Sequence, residues 1–291
     1  GPGGTLDLNK SPFRLLAIVN RVDLGDNPSY GDGNAGEGRF VFGMVDPLNP
    51  CGAPQFVVIF EYAVPLTECL DIKQYACDWQ SLDGSMPGTP SYNDALELLT
   101  ESFVQAGLNP AQPPNDSAIS QIRTNEIFLA GPWELREFRL QDPLDPSPGF
   151  LEQVTIKQNP VHQPPDNVPH PDTYNLSAEL ALWIALNDGD IAAEAHEVPD
   201  TFLGQPFLAA GGRYNFNMFF DGPGGAVSVP DRDVRHKFSL NTCTGCHAGE
   251  TGTAFTHVKP RFPGAPTPLS GFLTGITVND PADGAPSRTF D

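Results

Sequence analysis

The chain has 291 residues, long enough to bury a core without disulfides or metals, and its 39% hydrophobic content argues for a packed protein despite 29 glycines and 31 prolines. Against 16 Lys and Arg stand 36 Asp and Glu, a formal net charge of -20 that repels phosphate backbones and anionic lipid, so nucleic acid is a poor partner. There is no apolar run of about 18 residues, so no membrane span is expected.

The first half reads mainly as strands. Arg14 to Leu24 (RLLAIVNRVDL), Gly38 to Asp46 (GRFVFGMVD) and Gln55 to Pro65 (QFVVIFEYAVP) are rich in β-branched and aromatic residues and are separated by turn formers. They predict three neighbouring antiparallel strands. In the middle one Phe40, Phe42 and Met44 alternate with Val41, Gly43 and Val45, so both faces are apolar and the strand should be central and covered. The glycine-rich loop between the first two gathers Asp23, Asp26, Asp32, Asn34 and Glu37. Alternating oxygen donors suit calcium, yet the spacing is not that of an EF-hand, and a solvated hairpin loop is the simpler reading.

Helical material follows. Asp71 to Leu82 reads as a short helix that places Cys77 and Trp79 near a core, and Ser91 to Gly107 as a longer one. In the second, Ser91 and Asp94 have a capping-box arrangement, Leu96, Leu99 and Phe103 fall at helical spacing, and Gly107 supplies the stop. Asn125 to Gln141 and Phe150 to Gln158 resemble three further strands joined by Gly and Pro turns. The proline-dense stretch 160–171 is the natural linker between a sheet-and-helix portion, 1–159, and a helical and irregular portion, 172–291, although the two can form one compact unit. Leu176 to Glu197 has helical periodicity with a break at Asn187-Asp188-Gly189, Gly211 to Gly225 reads as an aromatic strand, and the last fifty or so residues carry few periodic signals. The expected fold class is α+β: a mainly antiparallel sheet with packed helices, many loops and an irregular C-terminal part.

Five cysteines are present. Cys51, Cys69 and Cys77 lie near one another and are candidates for a disulfide that leaves one thiol free, as in an oxidising compartment. A periplasmic or extracellular location is the expectation; the opening Gly1-Pro2 matches what a tag-removing protease leaves, so an export signal can have been removed.

The stretch with a specific chemical meaning is NTCTGCHAGE, Asn241 to Glu250. Two thiols about one helical turn apart can add to two vinyl groups on one porphyrin edge, and the following imidazole can reach the iron beneath. On the five residues Cys243 to His247 the chain resembles a c-type cytochrome. The resemblance implies covalent haem c, with Cys243 and Cys246 as thioether anchors and His247 as the proximal ligand, in a protein that passes one electron between partners. In small cytochromes a downstream methionine completes the iron, whereas here Met44, Met86 and Met218 all precede the motif. His257, His236 and Met218 are the candidates for the sixth position, which can also be open. The acidic surface would favour a redox partner with a basic face.

Two other readings of the same residues stand beside it. Cys243, Cys246, His247 and His257 are legitimate zinc ligands, and Cys243 with Cys246 can form a disulfide in a non-catalytic extracellular structural or binding domain. The phrases SPFRLLAIVNRVDL and FSLNTC also resemble segments of secreted bacterial proteins, a likeness that implies no activity. No Gly-x-Ser-x-Gly or His-Glu-x-x-His occurs, and neighbouring acids such as Glu134 and Glu137 follow from composition.

Overall fold

A computed structural model of the chain describes residues 12–27, 33–46, 49, 52, 54–109, 117–126, 134–140, 151–154, 178–199, 201–206, 212–213, 229–253, 256–282 and 285–290. Strands β1 (Phe13–Arg21), β2 (Glu37–Met44), β3 (Phe56–Ala63), β4 (Ile119–Glu126), β5 (Glu134–Leu140) and β6 (Leu151–Val154) pair in sequence order, every pair antiparallel. The three N-terminal strands are neighbours, with β2 in the interior of the sheet. Helices α1 (Cys69–Ser81) and α2 (Pro90–Val104) intervene between β3 and β4. The architecture is therefore α+β with a mainly antiparallel sheet.

One strand begins earlier than its sequence suggests. The pattern predicts strand from Asn125, but β4 starts at Ile119, because Gln121, Arg123 and Asn125 point to one face where an apolar alternation would have placed hydrophobics. Helix α2 also differs in its cap. Thr89 rather than Ser91 is the N-cap, accepting a hydrogen bond from the Tyr92 amide at 3.4 Å, with Pro90 in the first helical position where its missing N–H costs nothing.

Period-two alternation gives the sheet two unlike faces. Phe40, Phe42, Phe60 and Tyr62 lie on one, where Phe40 and Tyr62 pack against Phe103 of α2 at ring-centroid distances of 5.9 and 6.0 Å, within a core that also holds Tyr75 and Trp79 of α1. Gly38 belongs to this face, and the ring of Phe103 fills the space a Cβ would need. The opposite face carries Val19, Arg21, Glu37, Arg39, Val41, Val57, Ile59, Glu61, Arg123, Asn125, Leu135 and Glu137, following the cross-strand register.

A second layer lies beyond the sheet. Helices α3 (Ala178–Leu186), α4 (Asp188–Ala192) and α5 (Arg232–Leu240) enclose a cluster of Leu180, Ile184, Ile191, Val198, Val234 and Phe238, and the restart between α3 and α4 falls at Asn187, as the sequence predicts. The short pairs β7 (Thr201–Phe202) with β8 (Gln205–Pro206) and β9 (Gly212–Arg213) with β5 follow, then α6 (Cys243–Cys246), α7 (Gly271–Thr274) and the hairpin β10 (Ile276–Val278) with β11 (Arg288–Phe290). The C-terminal part is thus largely irregular. Of the segment 211–225 the structure describes only β9, and the linker 160–171 lies outside the described residues.

The two sides of that linker share one core. β9 extends the sheet, Arg14 donates to the carbonyls of Phe262 and Ala265 at 2.9 and 3.0 Å, and Val41 and Val57 cluster with Val258. No helix among the described residues is long and apolar enough to cross a membrane.

Candidate functional site

The turn that carries the motif is built by local hydrogen bonds. Asp231 caps α5, accepting from the amides of Asp233 and Val234 at 2.8 and 3.1 Å. Where α5 ends, the Thr242 hydroxyl donates to the Ser239 carbonyl at 2.7 Å and accepts from the Gly245 amide at 3.0 Å, so it starts α6 one residue before Cys243. Gly245 is required there: a Cβ would run into the carbonyl oxygen of Ser239. Cys243 and Cys246 are the ends of this single turn.

A buried charge cluster clamps the turn from behind. Arg235 makes a two-pronged bond to Glu250 at 2.7 and 2.8 Å and reaches Asp280 at 2.8 Å, and Arg288 holds Asp280 from the other side. His236 lies in the same cluster, its Nδ1 2.7 Å from Glu250, beside the ring of Phe290. His236, Glu250 and Asp280 place ligating atoms within 4.8 Å of one another, but two guanidiniums already neutralise these carboxylates, so the group ties α5 to the C-terminal segment and does not call for a cation. His236 is therefore committed away from the motif.

His257 is not. It returns to the motif from the C-terminal segment and brings its ring to 4.5 Å from that of His247, centroid to centroid, with Nε2 3.4 Å from the Cys246 sulfur. Its Nδ1 is fixed by the Ser270 hydroxyl at 2.8 Å and faces Thr253 at 3.4 Å, which directs Nε2 toward the motif. Burial, with His247 and Arg21 adding to it, holds the ring well below the usual histidine range, so it is a neutral imidazole of the kind that binds metals. Burial likewise pushes the Cys246 thiol up to about 11, against the pull of Arg21, Arg39 and Arg123.

Between these residues and the sheet lies a partly open cavity of about 140 Å³. Its floor is the charged face of the sheet, and its roof includes Leu240, Cys246, His247, His257, Phe272 and Leu273. Three guanidiniums, Arg21, Arg39 and Arg123, line it together with Val19, Val41, Val57 and Ile59. Behind them Glu37, Glu61 and Glu137 are fully buried. The chain of contacts runs Glu37 to Arg39 (2.7 Å), Arg39 to Glu61 (3.7 Å), Glu61 to Arg123 (3.8 Å), Arg123 to Glu137 (3.0 Å) and Glu137 to Arg139 (3.4 Å). Six alternating charges thus cross four strands, with Gln121 also donating to Glu61 and Ser120 to Glu37.

Two of those carboxylates respond oppositely to similar surroundings. Burial raises Glu37, reinforced by its neighbour Glu61, and outweighs the pull of Arg39. Burial also works to raise Glu61, but Arg123 and Arg39 on either side outweigh it and hold Glu61 below the usual carboxylate range.

Of the predicted site residues, the fold brings Cys246, His247 and His257 to one place, with Cys243 at the start of the same turn. Met218 and Cys51 lie outside the described residues. Cys69 and Cys77 are both free and exposed on α1; eight residues of helix separate them by about 12 Å, which excludes a disulfide between them. Among the described residues the acidic calcium candidates, Asp23, Asp26 and Glu37, form no converging group of ligands. Glu37 is strand, buried against Arg39; Asp23 is bound to Arg21 at 2.7 Å; Asn34 accepts from the Gly36 amide; Asp32 lies outside the described residues. Arg21, Arg39, Glu61 and Arg123 were not singled out by the sequence, where the one available signal was charge at inward positions of otherwise apolar strands.

No family model, no curated protein and no solved structure matches this chain.

Proposed function

We propose that the chain holds one c-type haem in this cavity and passes single electrons between partner proteins, in a periplasmic or extracellular setting. The observation that carries the proposal is the shared position of Cys246, His247 and a second, neutral, Ser270-oriented imidazole, that of His257, on one wall of a cavity with apolar sides. Cys243 and Cys246 would form the thioethers, and His247 and His257 are the two imidazoles that would hold the iron. The bound haem would supply a one-electron couple in a largely apolar site. Accommodating iron between the two imidazoles requires their rings to part from the present 4.5 Å. The Cys246 thiol, buried and pushed up to about 11, is a poor redox thiolate, which argues against a dithiol active site.

A zinc site is the second reading, and one contact favours it. The 3.4 Å between the Cys246 sulfur and His257 Nε2 is close to the separation of two ligands at about 2.3 and 2.1 Å from one tetrahedral ion. Cys246, His247 and His257 do not form a group of three converging ligand atoms, however, and zinc accounts for neither the cavity nor its arginines.

Expression beside a covalent haem-attachment machinery separates these readings. A Soret band, a pyridine haemochrome typical of two thioethers and a mass gain of one haem, all lost in Cys243→Ala/Cys246→Ala, support the proposal. Colourless protein with one zinc per chain overturns it in favour of zinc. Colourless, metal-free protein two hydrogens lighter favours a disulfide.

A further inference from the structure

We infer that residues 257–274 form a lid over the cavity, which moves as one piece and carries His257 away from His247 to admit a ligand. Cofactor entry by this route rests on the haem reading, whereas the lid itself belongs to the haem-free chain. Closed, the cavity measures about 140 Å³, below the roughly 300–1,000 Å³ of sites that hold ligands of drug or cofactor size. His257, Val258, Phe272 and Leu273 of the roof all lie on this segment, and the ring of His257 is 4.5 Å from that of His247 on the turn. Enlarging the cavity and parting the two imidazoles are therefore one movement.

The segment is bonded mainly to itself. The Lys259 amide donates to the Pro268 carbonyl at 3.1 Å, Ser270 to His257 at 2.7 Å, Ala265 to Phe262 at 3.2 Å and Leu273 to Ser270 at 3.0 Å, and Val258 bridges Leu269 in antiparallel fashion. The 2.8 Å contact between His257 Nδ1 and the Ser270 hydroxyl is internal too, so the imidazole keeps its orientation as the lid moves. Among the described residues, no backbone hydrogen bond joins 257–274 to the rest of the chain. Its polar ties to the body are two bonds from Arg14, to the carbonyls of Phe262 and Ala265 at 2.9 and 3.0 Å, and the contacts of His257 with Cys246 and Thr253 at 3.4 Å each. Apolar contact adds Val258 against Val41 and Val57, and the ring of Phe272 5.0 Å from that of Phe290. A segment that holds its own shape and has few bonds to its surroundings opens well below the free energy of global unfolding.

The lid ends where the structure is fixed. Gly275 follows α7 at φ 96° and ψ 120°, a conformation that only glycine adopts freely. Directly beyond it the hairpin of β10 and β11 is pinned, since Asp280 is held by Arg235 and Arg288 at 2.8 Å each. A backbone change at Gly275 can thus swing the lid without disturbing that clamp.

The test follows alkylation of Cys246 by N-ethylmaleimide in the haem-free full chain, read by peptide mass mapping. Cys246 should react at urea concentrations where the far-UV circular dichroism is still native, at a rate nearly independent of urea. Arg14→Ala removes two anchors and should raise that rate at least roughly fivefold, with Val258→Ala acting in the same direction. Hydrogen exchange at the Lys259 and Ser270 amides should change by less than about twofold in Arg14→Ala, because the lid's own bonds stay closed. Labelling that tracks global unfolding in the parent chain, or that neither variant accelerates, overturns the inference. So does exchange at Lys259 and Ser270 that speeds up as much as the labelling, since the segment then melts instead of swinging. Should Arg14→Ala lose its far-UV circular dichroism, the urea dependence of the parent chain decides alone. Thioether haem acquired by a chain whose Cys246 labelling tracks unfolding removes the lid and leaves the haem reading intact. A chain that stays colourless beside the attachment machinery, yet opens as expected, removes the haem reading and leaves the lid.

Discussion

The two faces of one sheet hold opposite chemistry, back to back on β2 and β3. Toward α1 and α2, Phe40, Tyr62 and Phe103 interlock as neutral rings; toward the motif, Glu37, Arg39, Glu61, Arg123 and Glu137 are buried as charges. A buried ring stabilises by leaving water, while a buried ion pair loses hydration that its Coulomb attraction seldom repays in full. The aromatic face therefore supplies stability, and the charged face gives some of it up.

If that division is right, Phe103→Ala is the most damaging single change outside the cavity. The ring is fully buried between Phe40 and Tyr62, so its removal should lower unfolding free energy by about 3–5 kcal/mol in denaturant titrations, without altering porphyrin affinity in whatever fraction stays folded. On the opposite face Glu61→Gln keeps shape but leaves Arg39 and Arg123 without their shared carboxylate, and should cost about 3 kcal/mol. The informative quantity is the contrast with Arg123→Met/Glu137→Leu, which removes both members of a pair. That double variant should lose less stability than Glu61→Gln. Equal losses for single and double variants would mean that the charges stabilise the sheet in their own right.

The contrast between the faces also explains what the sequence could reveal. Strands β1 to β3 were legible because Ile18, Phe40, Phe60 and Tyr62 alternate with residues that are themselves mostly apolar. The start of β4 was not, since Gln121, Arg123 and Asn125, polar residues buried on the charged face, break that alternation. Helix α2 and the break at Asn187 followed from local signals, which need no tertiary information. The motif at Cys243 was visible as a pattern, and His257 as one candidate among several. What selected His257 is long-range: the clamp of Arg235 and Arg288 on Asp280 withdraws His236 and folds the C-terminal segment back over the turn. The meeting of Arg21, Arg39 and Arg123 on one face depends on cross-strand register, and charges 18, 84 and 102 residues apart in a single sequence carry no sign that they will share it.

Charge buried in pairs can be compared with a histidine whose burial outweighs the neighbouring charge of Asp190 in the layer that holds α5. His196 packs against the ring of Phe238, and burial pushes it down to about 4 despite Asp190. Because the unfolded chain would bind a proton near pH 6.5 and the folded chain only near 4, stability contributed by neutral His196 is complete above about 6.5 and is lost as pH falls through that window. Denaturant titrations at pH 7.5 and pH 4.5 should differ by up to about 2–3 kcal/mol from this residue, and His196→Phe should reduce the difference. A pH dependence untouched by that substitution would place the titration elsewhere, with the carboxylates of the ladder as the next groups to replace.

The smallest expected effects separate cysteines by environment rather than by sequence neighbourhood. Cys69 and Cys77 are exposed on α1, which covers the aromatic face, so Cys69→Ser and Cys77→Ser should each shift stability by less than about 0.5 kcal/mol. Cys246 borders the cavity, and its thiol, pushed up to about 11, is almost entirely protonated at pH 8. Alkylation of the haem-free chain at pH 8, followed by peptide mass mapping, should therefore label Cys69 and Cys77 at least roughly tenfold faster than Cys246. Comparable rates would show that the roof of the cavity opens readily, and the charged face would then be wet: its ion pairs would be worth surface values, and the loss expected from Glu61→Gln would fall toward about 1 kcal/mol.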